Sequence, residues 1–451
     1  MTDTDLRAAV AALMPRARRD LAELVAFRSV ADPAVFPREE CLRAAERVAG
    51  LLREAGLADA QLHDTADGYP AVIGHAAGPE GTPTALLYSH YDVQPPLPDA
   101  LWSSPPFELT ERDGRWYGRG AADDKGNLVA HLTALRAFAG SFPIGVTVIV
   151  EGSEEQGSSG VEEFVRTHPE LLRADAIVIG DLGNVEVGTP TLTTTLRGGG
   201  GVVVGVRALR SSLHSGMFGG AAPDALAALI EMLATLRDTD GGTTIRGLAG
   251  DRAAWDGAPY PIDRFRTDAT MLPGTRVLGD GTIADTLWAR PAVTVIGIDC
   301  PAVDGASPTI QATARAKLNL RVPPGMDSQV VQAALVAPLR EAAPWGVEVS
   351  IERGQAHPPF RVPESGPATE AMVMALREAF GKDVVRIGEG ASIPLATTFL
   401  QTYPGVEMAL IGVEEPLCAM HAPNESVDPG EIEHIALAEA LFLRRLAPAP
   451  R

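Results

Sequence analysis

Three strand-length apolar runs in the first part of the chain each stop on a histidine or a carboxylate. Leu86-Leu87-Tyr88-Ser89 leads into His90-Tyr91-Asp92. Ile144 to Val150 ends at Glu151-Gly152-Ser153-Glu154-Glu155, and Ala176 to Gly180 ends at Asp181. Runs of this length rich in β-branched residues suit strands buried on both faces, the habit of a parallel sheet covered by helices. Helical spacing fills the intervals: Thr4 to Val25, with Pro15 expected to kink or interrupt it, then Glu39 to Ala55, Leu128 to Phe138 and Gly160 to Thr167. Alternating strands and helices predict an α/β domain, and ligand sites in such sheets lie beyond the carboxyl ends of the strands.

The texture changes near Thr191. A glycine run, Gly198 to Gly201, precedes the strand-like Val202 to Val206. Then come helix Asp224 to Leu236, strands Ala292 to Ile298 and Thr313 to Val322, helix Gln329 to Ala342 and strand Val347 to Glu352. This is the content of a compact α+β insert, and His357-Pro358-Pro359 marks the return. The expected organisation is a first domain over 1–190 and 357–451, its mainly parallel sheet flanked by helices, interrupted by an inserted domain over 191–356. At 451 residues the chain is too long for one ordinary core.

The acidic and histidine side chains gathered at the strand ends and loop-to-helix boundaries are His90, Asp92, Asp123, Asp124, Glu154, Glu155, Asp181 and His421. Each has a plain alternative on its own; Asp123-Asp124 before a helix also fits an N-cap. Together on one rim they would repel one another unless cations sat among them. Cys41, Cys300 and Cys418 are too few and scattered for a thiolate site, so a metal must be held by His, Asp and Glu, a donor set that takes zinc, manganese or cobalt. His90 and Asp92 project to the same side of an extended chain, as suits an imidazole ligand steadied by a carboxylate. The formal charge of −20 argues against a nucleic-acid partner. No stretch has the apolar length of a membrane span and no signal pattern opens the chain, so a cytoplasmic location is expected.

The motifs Ser89-His90-Tyr91-Asp92-Val93-Gln94-Pro95, Gly118-Arg119-Gly120-Ala121-Ala122-Asp123-Asp124-Lys125-Gly126 and Glu151-Gly152-Ser153-Glu154-Glu155-Gln156-Gly157 resemble those of the M20 metallopeptidases, most of all the carnosinase and cytosolic non-specific dipeptidase branch. Leu213-His214-Ser215-Gly216 and His421-Ala422-Pro423-Asn424-Glu425 extend the likeness, which covers nearly the whole chain in order. The resemblance implies two divalent ions, zinc first and manganese or cobalt as alternatives. One would be held by His90, Asp123 and Asp181, the other by Asp123, Glu155 and His421. Asp92 would support His90, and Glu154 would be the general base acting on a metal-bridging water. The insert would be a lid and dimerisation domain, with His214 reaching the partner subunit's site in a homodimer to stabilise the oxyanion. Arg321 and Ser392, the latter in Gly390-Ala391-Ser392-Ile393-Pro394, would bind the carboxylate end of a small peptide; Ala391 stands where many relatives have glycine. The implied reaction is dipeptide hydrolysis. N-acyl amino-acid deacylation, of the acetylornithine or succinyl-diaminopimelate kind, would use the same ligands. A binding protein that had lost activity should lack a ligand or the base, and none is missing.

Overall fold

A computed structural model describes residues 2–245, 253–363, 366–390 and 393–448. The chain divides into two compact units, one of 1–194, 362–387 and 393–451, the other of 195–361 and 388–392.

The first unit is built on a mixed sheet. Its strands lie in the order Gln61–His63, Ala71–Ala76, Gly145–Glu151, Thr84–His90, Ala176–Gly180, Glu407–Ile411 and Thr191–Leu196, with Val385–Glu389 also paired to Thr191–Leu196. Thr84–His90 runs parallel to both neighbours, and Ala176–Gly180 is parallel to Glu407–Ile411. The pairs outside this centre, Ala71–Ala76 on Gly145–Glu151 and Glu407–Ile411 on Thr191–Leu196, are antiparallel. The parallel centre follows from crossovers long enough to hold helices. The crossover from Thr84–His90 to Gly145–Glu151 contains helix Lys125–Ala137, of which every residue except Arg136 is buried. That helix shares its core with Asp3–Val25, Pro367–Phe380 and Pro429–Leu446.

Two local expectations change. Asp3–Val25 is one continuous helix through Pro15, because Leu6 and Val10 before the proline and Leu21, Leu24 and Val25 after it are all buried. Packing on both sides outweighs the missing N–H and the clash with the preceding turn, worth about 3 kcal/mol. Helices Ile262–Asp268 and Pro394–Thr402 were not expected from periodicity; each is short. Asp113-Gly114 joins Thr110–Arg112 to Arg115–Tyr117, with both turn residues at positive φ, 51° and 78°. The hairpin pairs in turn with Ser426–Val427.

The second unit is a four-stranded antiparallel sheet in the order Ala292–Asp299, Thr313–Val322, Gly198–Arg207, Glu348–His357. Thr313–Val322 alternates exposed and buried along most of its length, as a one-sided sheet requires. Its inner residues, Ala314, Ala316, Leu318 and Leu320, share a core with Ala228, Leu229 and Met232 of helix Ala225–Ala234 and with Val331, Leu335 and Leu339 of helix Ser328–Glu341.

Leu87 is fully buried on the central strand of the first unit. Leu87→Ala is expected to destabilise that unit by about 2–5 kcal/mol, read as a lowered denaturant midpoint with little change in slope. A loss under about 1 kcal/mol, within the reach of a repacked volume change, would contradict the central placement of this strand.

Candidate metal centre

Strand Thr84–His90 ends with His90 fully buried at the carboxyl edge of the parallel sheet. The His90 ring is held from behind. Its Nδ1 lies 3.1 Å from the Asp92 carbonyl oxygen and 3.3 Å from Asp92 Oδ1, which leaves Nε2 facing the site. The same Asp92 carboxylate accepts the backbone N–H groups of Glu154 and Glu155, each at 3.1 Å. One buried carboxylate therefore fixes both the imidazole and the loop that carries the two glutamates. Gly152 in that loop packs so closely on the Tyr91 ring that a Cβ there would overlap it. The loop is braced further by Glu151, whose carboxylate accepts the Tyr88 hydroxyl and, at 2.8 Å, Ser158 Oγ.

Asp123 is the hinge of the arrangement. One of its oxygens lies 3.1 Å from His90 Nε2 and the other 2.9 Å from His421 Nε2. Asp181, just past strand Ala176–Gly180, comes within 3.5 Å of His90 Nε2. Glu155 Oε2 comes within 3.4 Å of His421 Nε2 and accepts a hydrogen bond from Gln94 Nε2 at 2.7 Å. Two sets of donor atoms result, His90 with Glu154 and Asp181, and Asp123 with Glu155 and His421, each within 4.8 Å of one another. His421 is the open end, with its side chain 54% exposed, whereas His90 is completely enclosed.

Asp124 occupies the position before helix Lys125–Ala137 but makes no side-chain cap. Instead it accepts the His90 backbone N–H at 2.7 Å and Asn127 Nδ2 at 2.6 Å; Asn127 Nδ2 also reaches Glu414 Oε1. The peptide between Asp123 and Asp124 is cis. Asp124, Asp181 and Glu414 form a third acidic group behind the first two sets.

The residues fit a pair of cations. His90 Nε2 and Glu155 Oε1 are buried atoms with no hydrogen-bond partner, the condition of a ligand awaiting its ion. Donors about 2.0–2.2 Å from a tetrahedral ion are roughly 3.3–3.6 Å apart, close to the spacings here. The electrostatics agree. Burial, and then the neighbouring Asp181 charge, push Glu154 well above the usual carboxylate range; burial and the Asp123 charge push Glu155 up to about 8. Burial likewise raises Asp181 to about 6 although His90 opposes it. Burial disfavours the His90 imidazolium, but the carboxylates of Asp124, Asp123, Asp181 and Asp92 outweigh it and hold the ring well above its ordinary value. His421 is pushed up to about 9, chiefly by its bond to Asp123. Such a concentration of negative charge calls for bound cations.

His214, Arg321 and Ser392 are the residues expected to meet the substrate. His214 and Arg321 belong to the second unit. His214 is exposed, at the start of the short helix Ser215–Phe218, where its Nδ1 accepts the Gly216 N–H at 3.0 Å. Arg321 lies near the end of strand Thr313–Val322, opposite Ala292 and Gly199. Ser392 lies outside the described residues. Sequence reasoning left Gln94 and Arg119 without roles although both stand in the motifs, and it passed over Glu414, which no local pattern marks.

The family model for peptidase family M20/M25/M40 matches residues 86–445. The chain is 44% identical over 439 residues to the cysteinylglycine-S-conjugate dipeptidase of Corynebacterium striatum, covering 96% of each chain. It is 28% identical to the β-Ala-His dipeptidase of Rattus norvegicus, covering 83% of this chain and 79% of that one. Its fold superposes on human carnosine dipeptidase 1 with a TM-score of 0.86 at 24% identity, over 99% of both chains. A match over most of the chain, carrying every residue of the two donor sets, makes this protein a member of peptidase family M20/M25/M40.

Proposed function

We propose that the chain is a two-metal dipeptidase, with Glu154 as general base and a substrate class close to cysteinylglycine and its S-conjugates. The observation that carries the metal reading is Asp123, which offers one oxygen toward His90 and the other toward His421. In the proposed site His90, Asp123 and Asp181 hold one ion, and Asp123, Glu155 and His421 hold the other. The bound pair would make water a stronger acid and polarise the scissile carbonyl. Zinc suits the donors, and manganese or cobalt would also be accepted.

The chain's own groups divide the remaining work. Glu155 is committed to its ion and to Gln94, while the Glu154 carboxylate takes no side-chain hydrogen bond among the described residues, which leaves it to take the proton from the attacking water. The water oxygen bonds to the carbonyl carbon, the C–N bond breaks, and Glu154 returns the proton to the departing amine. Asp92 orients His90 and, through the backbone of 154–155, the base as well. Arg321 and the Ser392 hydroxyl are proposed to take the substrate's C-terminal carboxylate, and burial of the Arg321 guanidinium would strengthen such a pairing. His214 is proposed to stabilise the oxyanion from the partner subunit of a homodimer, with the inserted domain as lid and dimerisation unit. The free cysteines fit a reducing, cytoplasmic setting. Deacylation is the weaker reading, since the 44%-identical relative that matches over 96% of both chains carries a dipeptidase name.

Glu154→Gln is expected to retain both ions while kcat falls by about 10²–10⁴-fold. Metal content and turnover should be measured on the same sample; a near wild-type rate with full occupancy would remove Glu154 from the role. A matched panel tests the substrate class: Cys-Gly and an S-substituted Cys-Gly, a β-alanyl dipeptide, a tripeptide, and N-acetyl and N-succinyl amino acids. Turnover should be confined to dipeptides, with the cysteinylglycine pair fastest. Turnover of only the acylated amino acids would overturn the substrate assignment and leave the metal site standing.

A further inference from the structure

Glu425 is the last residue of the His421-Ala422-Pro423-Asn424-Glu425 stretch, and its side chain is fully buried. It is directed into the turn that carries Asp123. Oε1 accepts the backbone N–H groups of Ala122 and Asp123, both at 3.1 Å. Oε2 accepts the Gly120 N–H at 2.9 Å and Arg119 Nη1 at 2.6 Å. The Glu425 carbonyl accepts the Gly118 N–H at 2.9 Å. Successive backbone N–H groups converging on one carboxylate form an anion nest, here filled from within the chain.

Arg119, only 1% exposed, carries the linkage further. Its Nη2 donates to the Ala422 carbonyl at 3.2 Å and the Pro95 carbonyl at 3.3 Å. The Arg119–Glu425 pair thus ties together three segments: the one after His90, the Asp123 turn, and the loop that carries His421. Burial raises the Glu425 carboxyl above its ordinary range, although the Arg119 guanidinium and the turn's N–H groups favour its charged form.

The two ends of the metal centre are supported unequally. His90 closes a central strand and Asp181 follows another. His421 is on a loop, half exposed, with its backbone in the left-handed region at φ 61°, and Ala419 and Asn424 share that conformation at 54° and 63°. A non-glycine residue holds such a conformation only when its surroundings fix it. Apart from the His421–Asp123 contact itself, the side-chain bonds between this loop and the Asp123 turn run, among the described residues, through Glu425 and Arg119.

We propose that Glu425 is a positioning residue that sets the separation of Asp123 and His421, and so controls affinity at the Asp123/Glu155/His421 end of the metal centre. This rests on the two-metal reading above. Glu425 touches no donor atom of the centre; it acts through the backbone of the Asp123 turn and through its own loop.

The test is a competition titration of metal-free protein with Zn²⁺ against a chromogenic chelator, for wild type, Glu425→Gln, His421→Ala and the double variant. Wild type should take up two equivalents; fewer than two would overturn the two-metal reading, and this inference with it, before any variant is compared. Glu425→Gln keeps the side-chain shape but puts an NH₂ group against the turn's N–H donors. It should weaken one equivalent by about 10–100-fold and leave the other within a few-fold. The double variant should lose less than the sum of the two single losses, since both act on one end. A purely structural role would instead lower the unfolding temperature of the metal-free protein and leave both affinities unchanged. That result, or additive losses in the double variant, would overturn the proposal. If Glu425→Gln does not fold, Arg119→Lys decides: it keeps the charge, loses the forked contact to Glu425 and Ala422, and should weaken the same equivalent to a smaller degree. Unchanged uptake by a folded Arg119→Lys would count against the assignment.

Discussion

Repulsion among buried carboxylates is the constraint on which the site depends. Asp92, Asp123, Asp124 and Glu414 are buried, and Glu154, Glu155 and Asp181 stand beside them at the carboxyl end of the parallel strands. Isolated carboxylates in such surroundings would take up protons rather than stay charged. The scaffold opposes that with donors at the back of the cluster: the Glu154 and Glu155 N–H groups on Asp92, and the His90 N–H and Asn127 amide on Asp124. The front is left to the two histidines and to cations. The backbone thus fixes the ligands' orientation before an ion arrives, and the front oxygens stay short of partners.

The parallel sheet makes that concentration possible. Thr84–His90 lies between Gly145–Glu151 and Ala176–Gly180 in the same direction, so the residues that follow all three strands emerge at one edge. An antiparallel neighbour would have sent its last residue to the opposite edge. The antiparallel pairs are confined to the flanks, where Ala71–Ala76 and Thr191–Leu196 contribute no ligand. The proposed division of labour between Glu154 and Glu155 rests on the same geometry, because these neighbouring side chains reach different donor groups of the centre.

Much of this was legible in the sequence, for a physical reason. Strands buried on both faces leave continuous apolar runs, and parallel runs stop at one edge, so the gathering of His90, Glu154, Glu155 and Asp181 could be expected directly. The Asp123–His421 partnership came through a resemblance to a family, because periodicity does not say which distant loop meets a given turn. The antiparallel flanks were not visible for a similar reason: pairing direction depends on where the chain returns, not on strand composition. Pro15 misled because the penalty for an internal proline is local, whereas the packing that overrides it comes from other helices. Arg119 and Glu425 lay in quoted motifs, yet their joint role is visible only once the Gly118–Asp123 turn and the His421 loop are brought together.

The central claim is that one carboxylate, Asp123, is shared by two cations. Anomalous diffraction at the metal edge, from crystals of the metal-reconstituted protein, tests it most directly. The account predicts two peaks about 3.5–4 Å apart, one among His90, Asp123 and Asp181 and the other among Asp123, Glu155 and His421. A single peak, or two peaks without Asp123 between them, would contradict it.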